Sequence, residues 1–268
     1  MRYFSPFLHR VGNGHLNLRN HRKMVIADLR AVWAGGRNIG NAYLVEGQDW
    51  IDLSFSLQGP VVQSYIDVFA ADWDVIGAAP GALICQNAST GSVTAQLVPS
   101  GPDTTDDPLH DALVCAIHRA ERAIWLTTPY FLPTEALLQA LATAARRGVD
   151  VRIMVPQKSN QWMTDLARGA YLRDLHAAGC VILRLRQGML HAKAGVIDDL
   201  SWVGSANFDV RSMLLNFESA LLLYDEPSVT SVRDWFRGME PFCSQSVVKP
   251  SLPRRFVEGI FRLGAPIL

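Results

Sequence analysis

The sequence has little of what marks several common protein classes. It has only four cysteines, scattered and without a CxxC pair, which argues against a zinc site and against a dense disulfide framework. No apolar run approaches the roughly 18 to 20 residues of a membrane-spanning helix. The formal charge is zero, with 25 basic and 25 acidic residues, so the chain lacks the basic excess typical of nucleic-acid-binding proteins.

The plentiful residues point to a folded protein. Apolar residues make up 49% of the chain and charged residues 19%, which excludes a disordered chain and a coiled coil. A length of 268 residues allows one large domain or two lobes. Arginine dominates the basic residues, and the only lysines are Lys23, Lys158, Lys193 and Lys249. In such a chain, a retained lysine indicates a position that needs a compact ammonium group.

The chain contains an internal repeat. Residues 21–28 follow the pattern H-x-K-x-x-x-x-D, and residues 191–198 follow it again. A G-[GS]-x-N segment comes after each copy, at 35–38 and 204–207. Random placement would give roughly 0.01 copies of the eight-residue pattern, so two copies with matched sequels are not a coincidence.

Hydrophobic periodicity and glycine positions predict an α/β fold around both copies. Near the second copy we predict strands at 123–129, 149–155, 180–186, 190–197, 201–203 and 215–224, and helices at 135–147, 162–178 and 227–239. Near the first copy we predict strands at 23–27, 31–34 and 53–57, and a helix at 60–73.

A stretch rich in proline, serine, glycine and aspartate, at 99–108, predicts a boundary between two lobes. We expect residues 1–98 and 99–268 to form two α/β lobes with mixed sheets flanked by helices, related by a pseudo-twofold axis. Few residues precede the first motif, so the first lobe is expected to lack its opening strands and helices.

In each motif the histidine and the lysine are two positions apart, which on a strand places both side chains on one face. His21 and Lys23, like His191 and Lys193, are therefore predicted to present an imidazole beside an ammonium group.

An aspartate closes each motif. Asp28 and Asp198 come an odd number of positions after the histidine, near a strand end. They belong to the predicted catalytic set, but their offset favours a structural role, facing away or lying in the turn.

These residue types suit a phosphodiester. The lysines, with Asn38, Ser205 and Asn207, would hold the phosphoryl oxygens. One imidazole would attack phosphorus and form a phosphohistidine; the other would protonate the departing alkoxide and then activate water or an alcohol. No metal-binding carboxylate cluster accompanies them, and we expect neither a metal nor a cofactor. Glu218, a charge within an apolar strand, either faces the surface or orients His191.

With two H-x-K-x4-D motifs, the sequence resembles the phospholipase D superfamily, and within it the bacterial cardiolipin synthases. The similarity extends to residues 20–23, 35–40, 129–131, 147–151 and 204–209, and to Arg211, Ser212, Asn216 and Glu218. The resemblance implies that a phosphatidyl group moves from one phosphatidylglycerol onto a histidine, releasing glycerol. A hydroxyl of a second phosphatidylglycerol then takes it up, which gives cardiolipin.

The resemblance also implies roles for single residues. His21 would be the nucleophile and His191 the general acid and base, although the sequence leaves their order open. Glu218 would orient the histidine of the second lobe. Asp52 would do the same for the first lobe, with Asp49 as a weaker candidate.

Two departures and several alternatives accompany this interpretation. Leu29 and Asp199 stand where many family members have glycine after the motif aspartate. The alternatives are a phosphodiesterase or nuclease of the same superfamily, against which the zero net charge argues, and an inactive truncated remnant. A homo-oligomer that builds a two-histidine site from two second lobes is a further one.

The C-terminal tail, about 253–268, contains an amphipathic helix at 254–263. This helix either lies on an anionic lipid surface or packs against its own core. From the implied substrate we expect peripheral attachment to the cytoplasmic membrane and no nucleic-acid partner.

Overall fold

The computed structural model describes residues 4, 18–45, 50–75, 77, 81–86, 91–247 and 250–264. Asp49 and the last four residues of the predicted tail lie outside these ranges.

The first half of the chain forms a small antiparallel sheet and one long helix. Its elements are β1 (Met24–Ala27), β2 (Ala31–Gly35), the short helix α1 (Asn41–Leu44), β3 (Trp50–Ile51), β4 (Ser54–Gln58) and α2 (Val62–Val75). The sheet has the order β1-β2-β4. Helix α2 buries Val62, Tyr65 and Ile66 in a cluster that includes Val32 of β2, which holds the helix on the sheet.

The second half contains the remaining elements in chain order. They are β5 (Ala95–Ser100), α3 (Pro108–Arg119), β6 (Ala123–Thr127), β7 (Phe131–Leu132), α4 (Glu135–Arg146), β8 (Asp150–Pro156), α5 (Trp162–Ala177), β9 (Val181–Leu185), β10 (Met189–Leu190), β11 (Ala194–Ile197), β12 (Leu200–Gly204), β13 (Phe208–Asp209), α6 (Val210–Leu214), β14 (Glu218–Leu223), α7 (Glu226–Met239), a 3₁₀ turn (Glu240–Phe242), β15 (Cys243–Ser244) and α8 (Leu252–Leu263).

Eight of these strands form one mixed sheet in the order β15-β9-β8-β6-β11-β12-β14-β5. The pairs β6–β8 and β8–β9 are parallel and the others are antiparallel. All four residues of β11 are buried, as expected for a central strand covered on both faces. The hydroxyl of Thr134 accepts from the backbone N–H of Leu137 (3.3 Å) and caps α4. The predicted α/β fold with a large mixed sheet flanked by helices is confirmed.

The sequence repeat is also a structural repeat. Strands β1, β2 and β4 with α2 correspond in order and pairing to β11, β12 and β14 with α7. In each hairpin the motif aspartate sits in the turn at positive φ, 53° for Asp28 and 49° for Asp198. Asp and Asn tolerate this conformation better than most residues, which gives the motif aspartate a local structural reason.

The predicted strand at 190–197 is wrong at its centre. Residues 191–193 belong to no strand, and the segment divides into β10 before them and β11 after them. The reason is a change of partner: the N–H groups of His191 and Ala192 donate to the carbonyl of Ile51, at 2.7 and 3.2 Å, in the first half of the chain.

The boundary predicted at residue 99 falls inside β5, which pairs with β14 along all six of its residues. Leu97 of β5 and Leu221 of β14 share a hydrophobic cluster with Val32 and Tyr65 of the first half. The division at this residue stays a prediction, and the two halves have apolar contacts across it.

Gly195 offers a direct test of packing in the central hairpin. A Cβ atom there would meet the indole ring of Trp202, its partner across the strand pair, and the carbonyl of Trp125. We expect Gly195→Ala to lower the free energy of unfolding by about 2 kcal/mol, measured by urea denaturation. Gly238→Ala, at an open position in α7, is the matched control and should raise it by about 0.5 to 1 kcal/mol. Equal effects of the two substitutions would contradict the tight packing.

Candidate active site

The first motif histidine is placed by the second half of the chain. Asn20 forms a parallel bridge with Phe217, and the N–H of His21 donates to the carbonyl of Phe217 (2.8 Å). This pairing brings Nδ1 of His21 to 2.8 Å from Oε1 of Glu218. Glu218 is fully buried, and its Oε2 accepts from the hydroxyl of Ser205 (2.6 Å). The carboxylate therefore has a partner on each oxygen.

The second motif histidine is placed in the same way by the first half. Strands β10 and β3 pair in parallel, and the N–H of His191 donates to the carbonyl of Ile51. Nδ1 of His191 lies 2.7 Å from Oδ2 of Asp52, whose Oδ1 accepts from the N–H of Leu53 (2.8 Å). In both cases the residue that accepts the histidine N–H comes immediately before the carboxylate. The two sites are thus built by equivalent contacts.

The expected pairing of carboxylates with histidines is therefore wrong. Glu218 contacts His21 and not His191, and Asp52 contacts His191 and not His21. The physical reason is the backbone pairing, because the extended segment before each motif leaves its own sheet and joins the other half. Spacing along the chain carries no signal of this exchange.

One difference separates the two carboxylates. The N–H of Gly36 donates to the carbonyl of Leu53 (3.0 Å), and that of Ser205 to the carbonyl of Ser219 (2.9 Å), so the positions correspond. Ser205 donates its hydroxyl to Glu218. A Cβ atom at Gly36 would collide with the carboxylate of Asp52. The shorter carboxylate side chain, Asp52, thus lies against Gly36, and the longer one, Glu218, contacts Ser205.

Each of the two motif lysines interacts electrostatically with both carboxylates, Glu218 and Asp52. Nζ of Lys193 lies 2.8 Å from Nδ1 of His191, and Nζ of Lys23 donates to the carbonyl of His21 (2.6 Å). Burial lowers the pKa of Lys193 to about 7, while the charges of Asp52 and Glu218 oppose the shift. Burial also lowers the pKa of Lys23, and the same two carboxylates oppose it. An anion entering here would favour the charged form of both ammonium groups.

Nδ1 of each histidine faces a carboxylate, Glu218 for His21 and Asp52 for His191. A neutral ring that donates from Nδ1 to a carboxylate carries its lone pair on Nε2. The side chain of His21 is 36% exposed and lines a small cavity with Asn207 and Asn216. Burial lowers the pKa of His191 to about 4, with the hydrogen bond to Asp52 opposing, so this ring is neutral at pH 7.

The predicted phosphate-binding residues differ in their surroundings. Asn207 is buried, lines the cavity beside His21, and its Oδ1 has no hydrogen-bond partner in the described part of the chain. The hydroxyl of Ser205 already donates to the carboxylate of Glu218. Asn38 is exposed, and its amide donates to the hydroxyl of Tyr43 (3.0 Å). The structure brings Asn207 to His21, and Asn38 to the His191 side only through Tyr43.

The motif aspartates lie in the hairpin turns, at the opposite end of the strands from the histidines. Asp198 accepts from the backbone N–H groups of Glu121 (2.8 Å), Arg122 (3.0 Å) and Ala123 (2.8 Å). Burial raises the pKa of Asp198, but these three hydrogen bonds outweigh it and lower the pKa. Asp28 lies exposed in the equivalent turn.

Three residues beside the histidines were missed by the sequence reasoning. Tyr43 places its hydroxyl 3.2 Å from Nδ1 of His191, and the rings of Tyr43 and Trp50 pack against that imidazole. Burial raises the pKa of Tyr43 to about 12, so its hydroxyl keeps its proton. The only signal in the sequence for Tyr43 and Trp50 was that both are aromatic residues in the segment before Asp52.

The third is Arg22, the variable position of the first motif. It is buried, donates through Nε to the carbonyl of Glu218 (3.0 Å), and pairs with Asp72 and Asp103, both at 2.7 Å. Its counterpart in the second motif is Ala192. The sequence carries no signal of the burial of Arg22.

The described residues contain no cluster of three or more His, Cys, Asp or Glu side chains placed to hold a metal ion. Across the same residues, no helix has both the length and the apolar character that spanning a membrane requires.

Comparison with known proteins finds a matching family model and similar curated proteins. Residues 113–240 match the family model described as "Cardiolipin synthase, PLD-like domain". The chain is 36% identical to cardiolipin synthase 2 of Bacillus anthracis over 99% of its own length and 54% of that relative. It is 34% identical to cardiolipin synthase A of Klebsiella pneumoniae, over 97% of this chain and 57% of the relative. The chain therefore spans about half the length of these curated relatives.

Solved structures show the same fold. The phosphatidylserine synthase of Haemophilus influenzae Rd KW20 superposes with a TM-score of 0.69 at 15% identity, covering 93% of this chain and 70% of that one. Nuc of Salmonella typhimurium, a phospholipase D family member, gives a TM-score of 0.50 at 19% identity, with 59% of this chain and 100% of that chain covered.

The exchanged contacts predict a specific NMR result. Asp52→Asn should shift the imidazole nitrogen resonances of His191 and leave those of His21 in place, because only His191 donates to Asp52. Glu218→Gln should do the reverse. Each variant is the control for the other, since both replace a buried carboxylate by its amide. Shifts confined to the histidine of the same half would contradict the exchange.

Proposed function

Because the chain belongs to the phospholipase D superfamily, we propose that it is a cardiolipin synthase-type phosphatidyltransferase that moves a phosphatidyl group between two phosphatidylglycerol molecules. One observation carries this proposal: two histidine–carboxylate pairs, built by equivalent contacts, share one electrostatic environment with two motif lysines. A reaction in which attack and departure are near mirror images needs such a duplicated set.

In the first step, Nε2 of His21 attacks phosphorus of one phosphatidylglycerol. The bond from phosphorus to the headgroup glycerol breaks, and His191 gives a proton to the departing alkoxide, which leaves as glycerol. The product is a phosphohistidine on His21. The exposure of its side chain and the cavity beside it, with Asn207 on its wall, support this residue as the nucleophile.

In the second step, neutral His191 takes the proton of a hydroxyl of the second phosphatidylglycerol. That oxygen attacks phosphorus, the bond to His21 breaks, and cardiolipin forms. Two phosphatidylglycerol molecules thus give one cardiolipin and one glycerol.

His191 must be protonated to act as the acid in the first step. Burial and the charge of Lys193 hold the pKa of this imidazole low. A bound phosphodiester brings a negative charge next to the ring and favours the imidazolium form. Lys23 and Lys193 supply the positive charge that neutralises the phosphoryl oxygens, and we propose that the reaction proceeds without a metal ion.

Apolar surface near the site supports a lipid substrate. Ile39, Leu44 and Val45 are exposed and flank Tyr43, which contacts His191. Helix α8 also has an exposed apolar face: Leu252 is 79% exposed, Phe256 72% and Ile260 53%. We propose that α8 lies peripherally on an anionic bilayer, with the exposed Arg255 beside the apolar residues.

The contacts of α8 bear on its two alternatives, lying on an anionic lipid surface or packing against its own core. Its polar side packs inward, where Glu258 pairs with Arg173 (2.6 Å) and Arg262 with Asp174 (2.8 Å) of α5. Phe261 also faces inward, against Trp162. The outward side therefore keeps most of the apolar residues, the reverse of an ordinary surface helix.

The transferase proposal is tested with the purified chain, phosphatidylglycerol in mixed micelles, and EDTA in place of metal. We expect cardiolipin and glycerol from the wild-type chain, and at least a thousandfold less cardiolipin from His191→Ala and from His21→Ala. Mass spectrometry of acid-quenched protein should find a phosphatidyl adduct on His21, enriched in His191→Ala because the second step lacks its base. His118→Ala, on the exposed side of α3, is the matched control.

Other products would contradict the proposal in different ways. Phosphatidic acid without cardiolipin indicates a hydrolase. Full activity of His21→Ala would make the first motif dispensable and favour a site made from two second lobes in a homo-oligomer. No product from folded protein would indicate an inactive remnant.

The membrane contact is tested by vesicle flotation. We expect Phe256→Ser combined with Ile260→Ser to lower the fraction bound to phosphatidylglycerol-containing vesicles by about tenfold, since each exposed side chain loses its burial in lipid. Phe242→Ser, which removes another phenylalanine that is 60% exposed, is the control and should bind like the wild-type chain. Equal binding of all three proteins would contradict a contact through α8.

A further inference from the structure

A second polar cavity lies apart from the histidines. It has a volume of about 270 Å³ and sits between α5, β9 and the inner side of α8. No residue of either motif lines this cavity. Its mouth is formed by exposed residues, Gln157, Lys158 and Arg254, and its wall includes the buried Arg168. The cavity thus runs from the surface to a buried guanidinium group.

The lining carries an excess of positive charge. Its five cationic side chains are Lys158, Arg168, Arg173, Arg184 and Arg254, against two carboxylates, Asp165 and Glu258. Both carboxylates lie within ion-pair distance of cations, Asp165 of Arg168 (2.9 Å) and Glu258 of Arg173 and Arg254, although Asp165 Oδ1 and Glu258 Oε2 form no hydrogen bond in the described part of the chain. Within the described ranges, Lys158 and Arg184 have no carboxylate within 4 Å. The side chains that line the cavity therefore carry more positive than negative charge.

Arg168 shows where an acceptor is missing. It is 3% exposed, and Nη2 donates to the carbonyl of Gln157 (3.1 Å). Its Nη1 is buried and has no hydrogen-bond partner among the described residues. Burial lowers the pKa of this guanidinium to about 10, with the charge of Arg184 adding to the shift. A buried donor on a charged group without an acceptor is costly, and a ligand oxygen in the cavity would satisfy it.

We propose that this cavity binds a phosphate group distinct from the one that reacts. Arginine forks match the paired oxygens of a phosphate, and a doubly charged anion offsets most of the excess of three positive charges. The volume admits a phosphate with a short polar substituent. The group comes either from the head of an anionic lipid, since α8 forms the wall and turns its apolar side outward, or from a soluble phosphate ester. The site does not depend on the proposed transferase reaction.

Calorimetric titration with inorganic phosphate and with glycerol 3-phosphate tests the site. We expect Arg184→Gln and Lys158→Gln to weaken binding at one site by about tenfold, the loss of one charge-assisted hydrogen bond. Arg119→Gln, at the exposed end of α3, makes the same charge change away from the cavity and should bind like the wild-type chain. Lys193→Gln should affect only a second site, at the histidines. Failure of that second effect would count against the transferase proposal and leave the cavity intact.

Flotation on phosphatidylcholine vesicles with and without phosphatidylglycerol separates the two sources. Lower binding of Arg184→Gln than of Arg119→Gln to the anionic vesicles, without phosphate binding in the calorimeter, identifies the lipid headgroup. Phosphate binding with unchanged flotation identifies the soluble ester. If Arg184→Gln and Lys158→Gln match Arg119→Gln in both experiments, the proposal is overturned. Lys158 is exposed, so its substitution keeps the test valid should Arg184→Gln fold poorly.

Discussion

The exchange of carboxylates between the two halves is the contact on which the site depends. Each histidine takes its backbone partner and its carboxylate from the opposite half, His21 from Phe217 and Glu218, and His191 from Ile51 and Asp52. Glu218 and Asp52 are both buried, so each would be an uncompensated charge without its histidine or a hydrogen-bond donor. The fold therefore stabilises the docking of the halves and the alignment of the imidazoles through the same few contacts.

The halves are related but not identical, and the differences lie close to the carboxylates. Gly36 lies against Asp52, whereas Ser205, at the equivalent position, donates to Glu218. Arg22 donates to the backbone carbonyl of Glu218, whereas its counterpart Ala192 has no side-chain donor. His191 is the more enclosed ring, since its side chain is 10% exposed and that of His21 is 36% exposed. This asymmetry fits two histidines with different tasks. Aromatic packing by Tyr43 and Trp50 encloses only the second ring.

The sequence predicted much of the fold because its signals are local. Periodicity placed α4, α5 and α7 within two residues of their bounds, and the repeated motif identified both histidines and lysines. The carboxylate pairing was wrong because the extended segments at 19–21 and 189–192 choose partners far along the chain, and no local pattern encodes that choice. Arg22 was missed because a variable motif position carries no signal until its burial beside Asp72 and Asp103 is known.

The exchanged contacts also have a consequence for the chain before it finishes folding. With the first half undocked, His21 lacks Glu218 and His191 lacks Asp52, so neither imidazole is oriented by a carboxylate. Residues of both halves must be in place before either histidine–carboxylate pair can form. A molecule in which the two halves have not docked therefore lacks both histidine–carboxylate pairs.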